Sequence, residues 1–504
     1  MNLSKDRSQS SVPWFWIGMA GVFLLSAFLR FWGLSRFNTL VFDEVYFAKY
    51  GNNYLTNTPF FDVHPPLGKY LIAIGIWLSR LLPLGNDARN ELTGSLLSPW
   101  SYRWLNAFTG SLVPLVVGAS AYQLSHRRSY ALIAALFMAA DGLFLVESRY
   151  ALINVYLITF GLLGQLLFLL ALNSGAGRRR IWLALSGICF GACVSVKWNG
   201  LGFLLGIYLV WISAWVIRWV EKNKDKKLNI KEENSVLNTG EEIPLQELEN
   251  LTFIQKLTQI DFRHMLFELG AIPAVIYRLA WIPHIQLNPE RGFWEMQKQI
   301  LGYHQRVGGD LSIHPYCSAW YTWPWMIRPV GYFFEKVGKT PEPASSLISP
   351  FPPSPPKVVY FDVHAMGNPA LWWLSTVAIA ILLLILSQRI IRATTNHNLS
   401  LVQSTEFGVA LFLILNYVAN LLPWVKVTRC AFLYHYMGAA IFAFLAIAWI
   451  VDSYLQSYNL WLRAVGVTII FAILLAFVYW MPLYLGLPLS PESFGSRMWF
   501  RSWI

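Results

Sequence analysis

Charge is what this chain has least of. Only 13% of its 504 residues are Asp, Glu, Lys or Arg, against ~25% in an ordinary soluble domain, which excludes a solvated globule. Cysteine is also scarce: Cys189, Cys193, Cys317 and Cys430 are the whole set, without metal-ligand spacing. Cys189 and Cys193 sit one helical turn apart in an apolar run and read as small packing residues. Cys317 and Cys430 both fall in outward segments, where a disulfide is open to them. The apolar runs lack the alternation of barrel strands, which excludes a β-barrel. No small-residue cleavage site follows the first run, Trp14 to Trp32, so it reads as a retained helix rather than a signal peptide. There is no internal repeat, and no soluble segment long enough to fold alone.

What fills the chain instead is apolar: 56% of residues are hydrophobic, in runs that repeatedly reach the ~20 residues a bilayer-crossing helix needs. The expectation is an all-α polytopic membrane protein with about eleven spans, near 14–32, 104–124, 129–147, 150–172, 180–196, 200–218, 266–284, 369–388, 406–423, 432–451 and 462–485. A twelfth run, 67–84, either spans or lies along the surface, and charge decides. If it does not span, Arg127-Arg128, Arg178-Arg179-Arg180, the Lys222–Lys227 cluster and Arg389/Arg392 share a side with Lys5 and Arg7. The positive-inside rule then places the N-terminus in the cytoplasm and the C-terminus outside. The net charge of +12 follows this loop pattern and does not point to nucleic acid.

This topology divides the chain into a cytoplasmic N-terminus (1–13), a catalytic module (14–218) with an outer loop over 33–103, a charged cytoplasmic loop (219–265) and a C-terminal membrane region (266–504) with an outer loop over 285–368. Leu245, Leu248, Leu251, Ile254 and Leu257 recur at helical spacing and suggest a short surface helix in the charged loop. The stretch Pro341 to Pro356 reads as extended.

The same topology gathers charged groups from distant segments on one outer face, as an active site requires. Asp43 and Glu44 are adjacent carboxylates just beyond the first span. An acidic residue starting a juxtamembrane helix over Val45–Tyr50 would favour its dipole, which accounts for one of the pair. His64-Pro65-Pro66 suits a helix start and puts Lys69 in the first turns that follow. Arg103 opens the second span. Glu147-Ser148-Arg149 forms a polar turn between two apolar runs, and Lys197-Trp198-Asn199-Gly200 another. A lysine at that depth calls for an anionic partner. The outer loop holds His314, Tyr316 and a cluster of indoles, and Arg429 and His435 flank the start of a late span. As a lone histidine, His435 is more often a satisfied structural group than a ligand.

Taken in order, Phe42-Asp43-Glu44, His64-Pro65-Pro66-Leu67-Gly68-Lys69, Asp141-Gly142 through Ser148-Arg149, Val196-Lys197-Trp198, His314-Pro315-Tyr316, Arg328-Pro329 and Leu422-Pro423-Trp424 resemble the bacterial protein O-mannosyltransferases, nearly end to end. The resemblance implies the GT-C fold, a polyprenyl-phosphate-mannose donor, secreted or membrane protein acceptors, and a site on the outer face of the cell membrane. It also implies that the aspartate of the Asp-Glu pair, Asp43, is the base, and that Arg103 lies near the donor phosphate. Two departures stand out. Asn154 stands five residues after Arg149, where the family usually has Asp in an Arg-x-x-x-x-Asp pattern, and the outer-loop β-trefoil of the eukaryotic members is missing.

The site expected from these readings has Asp43 and Glu44 as catalytic carboxylates and Arg103, Lys197, Arg149, Arg429 and Lys69 at the donor phosphate. His64, His314, Tyr316, Trp198 and His435 contact substrate. No cofactor is expected. Asp43, Glu44 and His64 are hard-ligand types for a divalent metal, but nothing in the spacing brings them together. Two other readings remain at this stage: a GT-C enzyme with a lipid or glycan acceptor, and a transporter or flippase, for which repeat halves and broken helices are the usual signature.

Overall fold

The computed structural model describes residues 12–81, 89–227, 251–308, 313–338, 358–395 and 403–504. Most of the expected N-terminal tail, Leu245, Leu248 and the Pro341–Pro356 stretch lie outside the described residues. Ten helices among those described are long and apolar enough to cross a membrane: Pro13–Phe31, Pro99–Ser125, Asn154–Leu172, Ala176–Val196, Trp198–Asn223, Phe262–Leu287, Pro369–Ala393, Thr405–Lys426, Leu433–Leu455 and Leu460–Leu485. Asn154–Leu172 and Leu433–Leu455 are largely enclosed, whereas Pro13–Phe31 and Leu460–Leu485 leave most of their apolar side chains exposed. Phe28, Phe471 and Leu475 on these outer helices point away from protein, as a lipid solvent permits.

The remaining expected span, 129–147, is two helices. α5 (Arg128–Ala139) stops at Ala140, and α6 (Gly142–Glu147) restarts from Asp141. The Asp141 carboxylate caps α6 by accepting from the Phe144 amide at 3.0 Å, and also accepts from the Trp372 indole at 2.7 Å and the Asn368 amide at 3.0 Å. Three donors on one buried carboxylate fix the break. The run beginning at residue 67 forms α3 (Leu67–Ser79), 13 residues long and too short for a ~20-residue crossing. It pairs with α2 (Glu44–Leu55), so the first loop carries a helical pair.

Local sequence explains the joints that bear function. α1 (Val12–Phe31) ends where Arg149 donates to the carbonyls of Leu29, Arg30, Trp32 and Gly33 at 2.6–3.2 Å, satisfying the acceptors a helix C-terminus leaves open. α4 (Pro99–Ser125) starts at Ser98, whose hydroxyl accepts from the Ser101 amide, with Pro99 in the first turn. α7 (Asn154–Leu172) packs on α8 (Ala176–Val196), which meets α9 (Leu201–Lys227) at Lys197. Lys197 itself is extended, with φ −161° and ψ 140°. The reversal needs Gly200, because a Cβ there would meet the Cys193 sulfur at 2.7 Å.

Two antiparallel hairpins add to the helical bundle: β1 (Asn90–Leu92) with β2 (Ser95–Leu97), and β3 (Val330–Gly338) with β4 (Val358–Ala365). The second pair bulges between Gly331 and Phe333, which re-aims Tyr332. Cys317 and Cys430 are disulfide-bonded across 113 residues, settling a pairing that the sequence left open. Cys189 and Cys193 are unpaired.

Candidate active site

The helix ends just described meet at one end of the bundle. The chain leaving α1 turns through Phe42, whose backbone is left-handed at φ 51°, a costly conformation for a bulky residue. Phe42 is held by stacking on Tyr332 (centroids 4.4 Å apart, planes 9°) and by edge contacts with His314, Phe432 and Tyr434. The next residue, Asp43, takes the N-cap position of α2, yet its side chain makes no capping hydrogen bond. The carboxylate is therefore not committed to the helix that follows it.

Glu44 is fully committed. It accepts from the amides of Val41 and Ala151, both at 2.9 Å, and from Arg103 Nε and Nη2 at 2.8 and 2.7 Å. Both side chains are fully buried. Arg103 also donates to the carbonyls of Leu34, Phe37 and Thr39 at 2.8–3.1 Å. Arg103, Glu44 and Arg149 thus form the frame that pins the loop carrying Asp43. Neither arginine lines the cavity described next.

That cavity, of about 820 Å³, has His64, Lys197, His304, Gln305, Lys426 and Arg429 among its polar lining, and Leu201, Leu204, Leu205 and Tyr208 of α9 with Ala419 and Pro423 among its apolar lining. Lys197 Nζ donates to Asn154 Oδ1 at 3.2 Å and lies 5.2 Å from the Tyr434 ring. Asn154 Nδ2 in turn donates to Glu147 Oε2 at 3.2 Å, and the Tyr332 hydroxyl donates to the other Glu147 oxygen. Asn154 is therefore the link between Lys197 and Glu147. Lys69 is paired with Asp62 and donates to the His64 carbonyl at 2.7 Å, so its charge is met within its own loop and it does not line the cavity.

The electrostatics distinguish the groups. Burial pushes the Asp43 carboxyl up to about 6, opposed by the Lys197 cation and reinforced by the Asp62 carboxylate. Burial pulls the Lys197 ammonium down to about 8, helped by Arg429 and opposed by Asp43, Glu147 and Asp62. Burial, with Lys197 and Lys69 nearby, holds His64 well below its ordinary value, so it is neutral at pH 7. Arg429 is lowered by burial but keeps its charge at any working pH. The cavity lining thus holds three cations, the buried Lys197, the half-buried Arg429 and the exposed Lys426, with an apolar surface along α9.

Of the residues expected to touch substrate, His64 and Trp198 line the cavity, while His314 and Tyr316 surround Phe42 and Gly331 instead. His435 is buried between Trp424 and Trp323, with its Nδ1 on the Phe432 backbone, the satisfied structural arrangement. Asp62, His304 and Tyr332 were missed. Asp62 stands two residues before His64 and could have been read as part of that motif; His304 and Tyr332 carry no local signal.

A helical bundle with charged groups and an apolar cavity converging at its end defines a multi-pass membrane protein of the GT-C fold. The yeast (Saccharomyces cerevisiae) protein O-mannosyltransferase Pmt1-Pmt2 complex bound to the sugar donor superposes with a TM-score of 0.73 at 15% identity, over 97% of this chain and 92% of that one. Archaeoglobus fulgidus oligosaccharyltransferase AglB does so at 0.50 and 15%, over 96% and 57%. A profile described as dolichyl-phosphate-mannose-protein mannosyltransferase matches residues 20–287, and one for the C-terminal four-TMM region of protein-O-mannosyltransferase matches residues 290–503. The chain belongs to the protein mannosyltransferase family. It is 23% identical to the polyprenol-phosphate-mannose–protein mannosyltransferase of Mycolicibacterium smegmatis over 99% of this chain and 94% of that one. It is 30% identical to rat protein O-mannosyl-transferase 1 over 40% of this chain and 28% of that one.

Proposed function

We propose that this protein transfers mannose from a polyprenyl monophosphate carrier to serine and threonine hydroxyls of secreted or membrane proteins, at the outer face of the cell membrane. Family membership and the mycobacterial relative's name support the donor and the protein acceptor. The observation that carries the reading is the cavity, with the cations Lys197 and Arg429 in its lining and an apolar wall leading away along α9; the uncommitted Asp43 does not itself line it but lies close enough to Lys197 for their charges to interact. A lipid phosphate fits this pairing of charge and grease.

The reaction follows from those positions. The acceptor hydroxyl oxygen attacks the anomeric carbon, the carbon–oxygen bond to phosphate breaks, and its electron pair leaves with polyprenyl phosphate. Asp43 takes the hydroxyl proton, a contribution typically worth ~10²–10⁴-fold. Lys197 and Arg429 meet the charge growing on the phosphate. A phosphate leaving group needs no proton, so one base suffices, unlike glycoside hydrolysis with its pair of carboxylates. Asn154 therefore serves as the hydrogen-bonding link for Lys197 rather than as a second base. A single displacement inverts the anomeric configuration. Arg103, Arg149, Glu44 and Lys69 act as positioning residues for the two loops.

The test is transfer from synthetic polyprenyl-phosphate mannose to a Ser/Thr peptide by purified protein. Asp43→Asn is expected to lose about 10²–10⁴ in kcat; full retained transfer, or transfer to lipid but never to peptide, would overturn the assignment. The leaving charge is met by side-chain cations of the cavity lining, and Glu44 and Asp62 are engaged with Arg103 and Lys69. Thorough chelation is accordingly expected to leave the rate unchanged.

A further inference from the structure

Helix Phe293–Arg306 lies outside the bundle core, with Trp294 and Leu301 exposed, and it brings two polar residues to the cavity, the exposed Gln305 and the half-buried His304. His304 lines the same wall as Lys197, Arg429 and His64. Its ring lies 6.1 Å from the His64 ring and 6.0 Å from the Trp198 indole, centroid to centroid. Trp198 is itself fixed, donating to the Tyr277 hydroxyl at 2.9 Å, which donates to Gln297 of the same outer helix at 2.6 Å. The His304 ring is thus held in a defined place. Its Nδ1 is buried and has no hydrogen-bond partner among the described residues, an uncommon state for a native polar atom.

The chemistry of the unmet atom narrows its partner. Burial, then Arg429, brings His304 down to about 4, against a hydrogen bond to the Val63 backbone that raises it. A bond that favours the protonated ring is donated by it, so the proton of the neutral ring sits on Nε2 and Nδ1 is left as an acceptor. The wanted partner is a hydrogen donor. Of the three parts of a polyprenyl-phosphate sugar, the tail has no such hydrogen and the phosphodiester is ionised; only the sugar hydroxyls can give one.

We propose that His304 is a sugar-specificity residue whose Nδ1 accepts a hydrogen bond from one hydroxyl of the transferred hexose. The proposal rests on the reading of the cavity as the donor site. It is tested with synthetic polyprenyl-phosphate mannose and a series of its monodeoxy analogues, each assayed with wild type, His304→Ala and His304→Gln. For wild type, one analogue is expected to lose about 10- to 100-fold in kcat/KM, the cost of one buried acceptor left unmet. In His304→Ala that analogue and the parent donor should become equal, with the penalties for the other deoxy positions unchanged. His304→Gln, which keeps an acceptor oxygen, should restore part of the discrimination. Should the alanine variant prove unstable, the volume-matched His304→Leu takes its place in the same comparison. Identical deoxy penalties in wild type and variant would overturn the role of His304 while leaving the function standing. No transfer from the mannosyl donor by the wild type would overturn both.

Discussion

Burial without a dedicated hydrogen-bond donor leaves the Asp43 carboxyl near 6, whereas Glu44, next in the chain, is held by four donors from Val41, Arg103 and Ala151. The sequence shows two equal carboxylates; their difference comes from partners 59 and 107 residues away, beyond the reach of local pattern. The same values set a pH dependence. Asp43 must be ionised to accept a proton, and Lys197 must be charged to receive the phosphate. The kcat/KM profile is therefore expected to rise through about pH 6 and fall through about pH 8, with the acid limb lost in Asp43→Asn residual activity. Stability has its own sign. The folded value of Asp43 lies above its ordinary 3.8, so ionisation costs stability as pH rises from 3.8 to about 6 and the cost persists above that. At pH 7.5, Asp43→Asn should melt no lower than wild type while losing transfer, as measured by thermal unfolding in detergent.

Among the elements, the frame of Arg103 and Glu44 is the most consequential. Removing one member of a fully buried pair strands the other, at about 3–5 kcal/mol. Arg103→Ala is expected to lower the melting temperature sharply, because it also frees the carbonyls of Leu34, Phe37 and Thr39. Any folded fraction should show a reduced kcat with little change in donor KM; a donor KM raised tenfold at normal stability would return Arg103 to the phosphate. Long apolar runs made most helices readable in advance, and Ser98-Pro99 and His64-Pro65-Pro66 marked two starts. The break at Asp141 was not readable, since its donors Asn368 and Trp372 arrive from the entry and first turn of a helix more than 200 residues on. Nor were the hairpins: β3 and β4 are short beside the spans, and the bulge that aims Tyr332 has no sequence mark.

For the whole molecule, alternation of spans brings the ends of α1, α6 and α8 together with the starts of α4, α7 and Leu433–Leu455. That convergence was legible from counting runs and loop charges, which is why Asp43, His64, Lys197 and Arg429 could be grouped at all. Which of them face the cavity was not, since hydropathy ranks segments and not side-chain directions. The proposed sidedness has a direct check. Tyr46 is 56% exposed beside Asp43, and Tyr458 is 99% exposed at the opposite end. Tyr46→Cys should react with an impermeant maleimide in intact cells, and Tyr458→Cys only after permeabilisation; the reverse pattern would put catalysis on the inner face.

The apolar wall of the cavity carries one more implication. A pocket of about 820 Å³, shared with a phosphate and a sugar, has room for only the first isoprene units of a carrier. The rest of the tail must trail into the surrounding lipid, which already holds it in place. Recognition then saturates within a few units of the headgroup, and supply is governed by carrier density in the plane of the bilayer rather than by concentration in water.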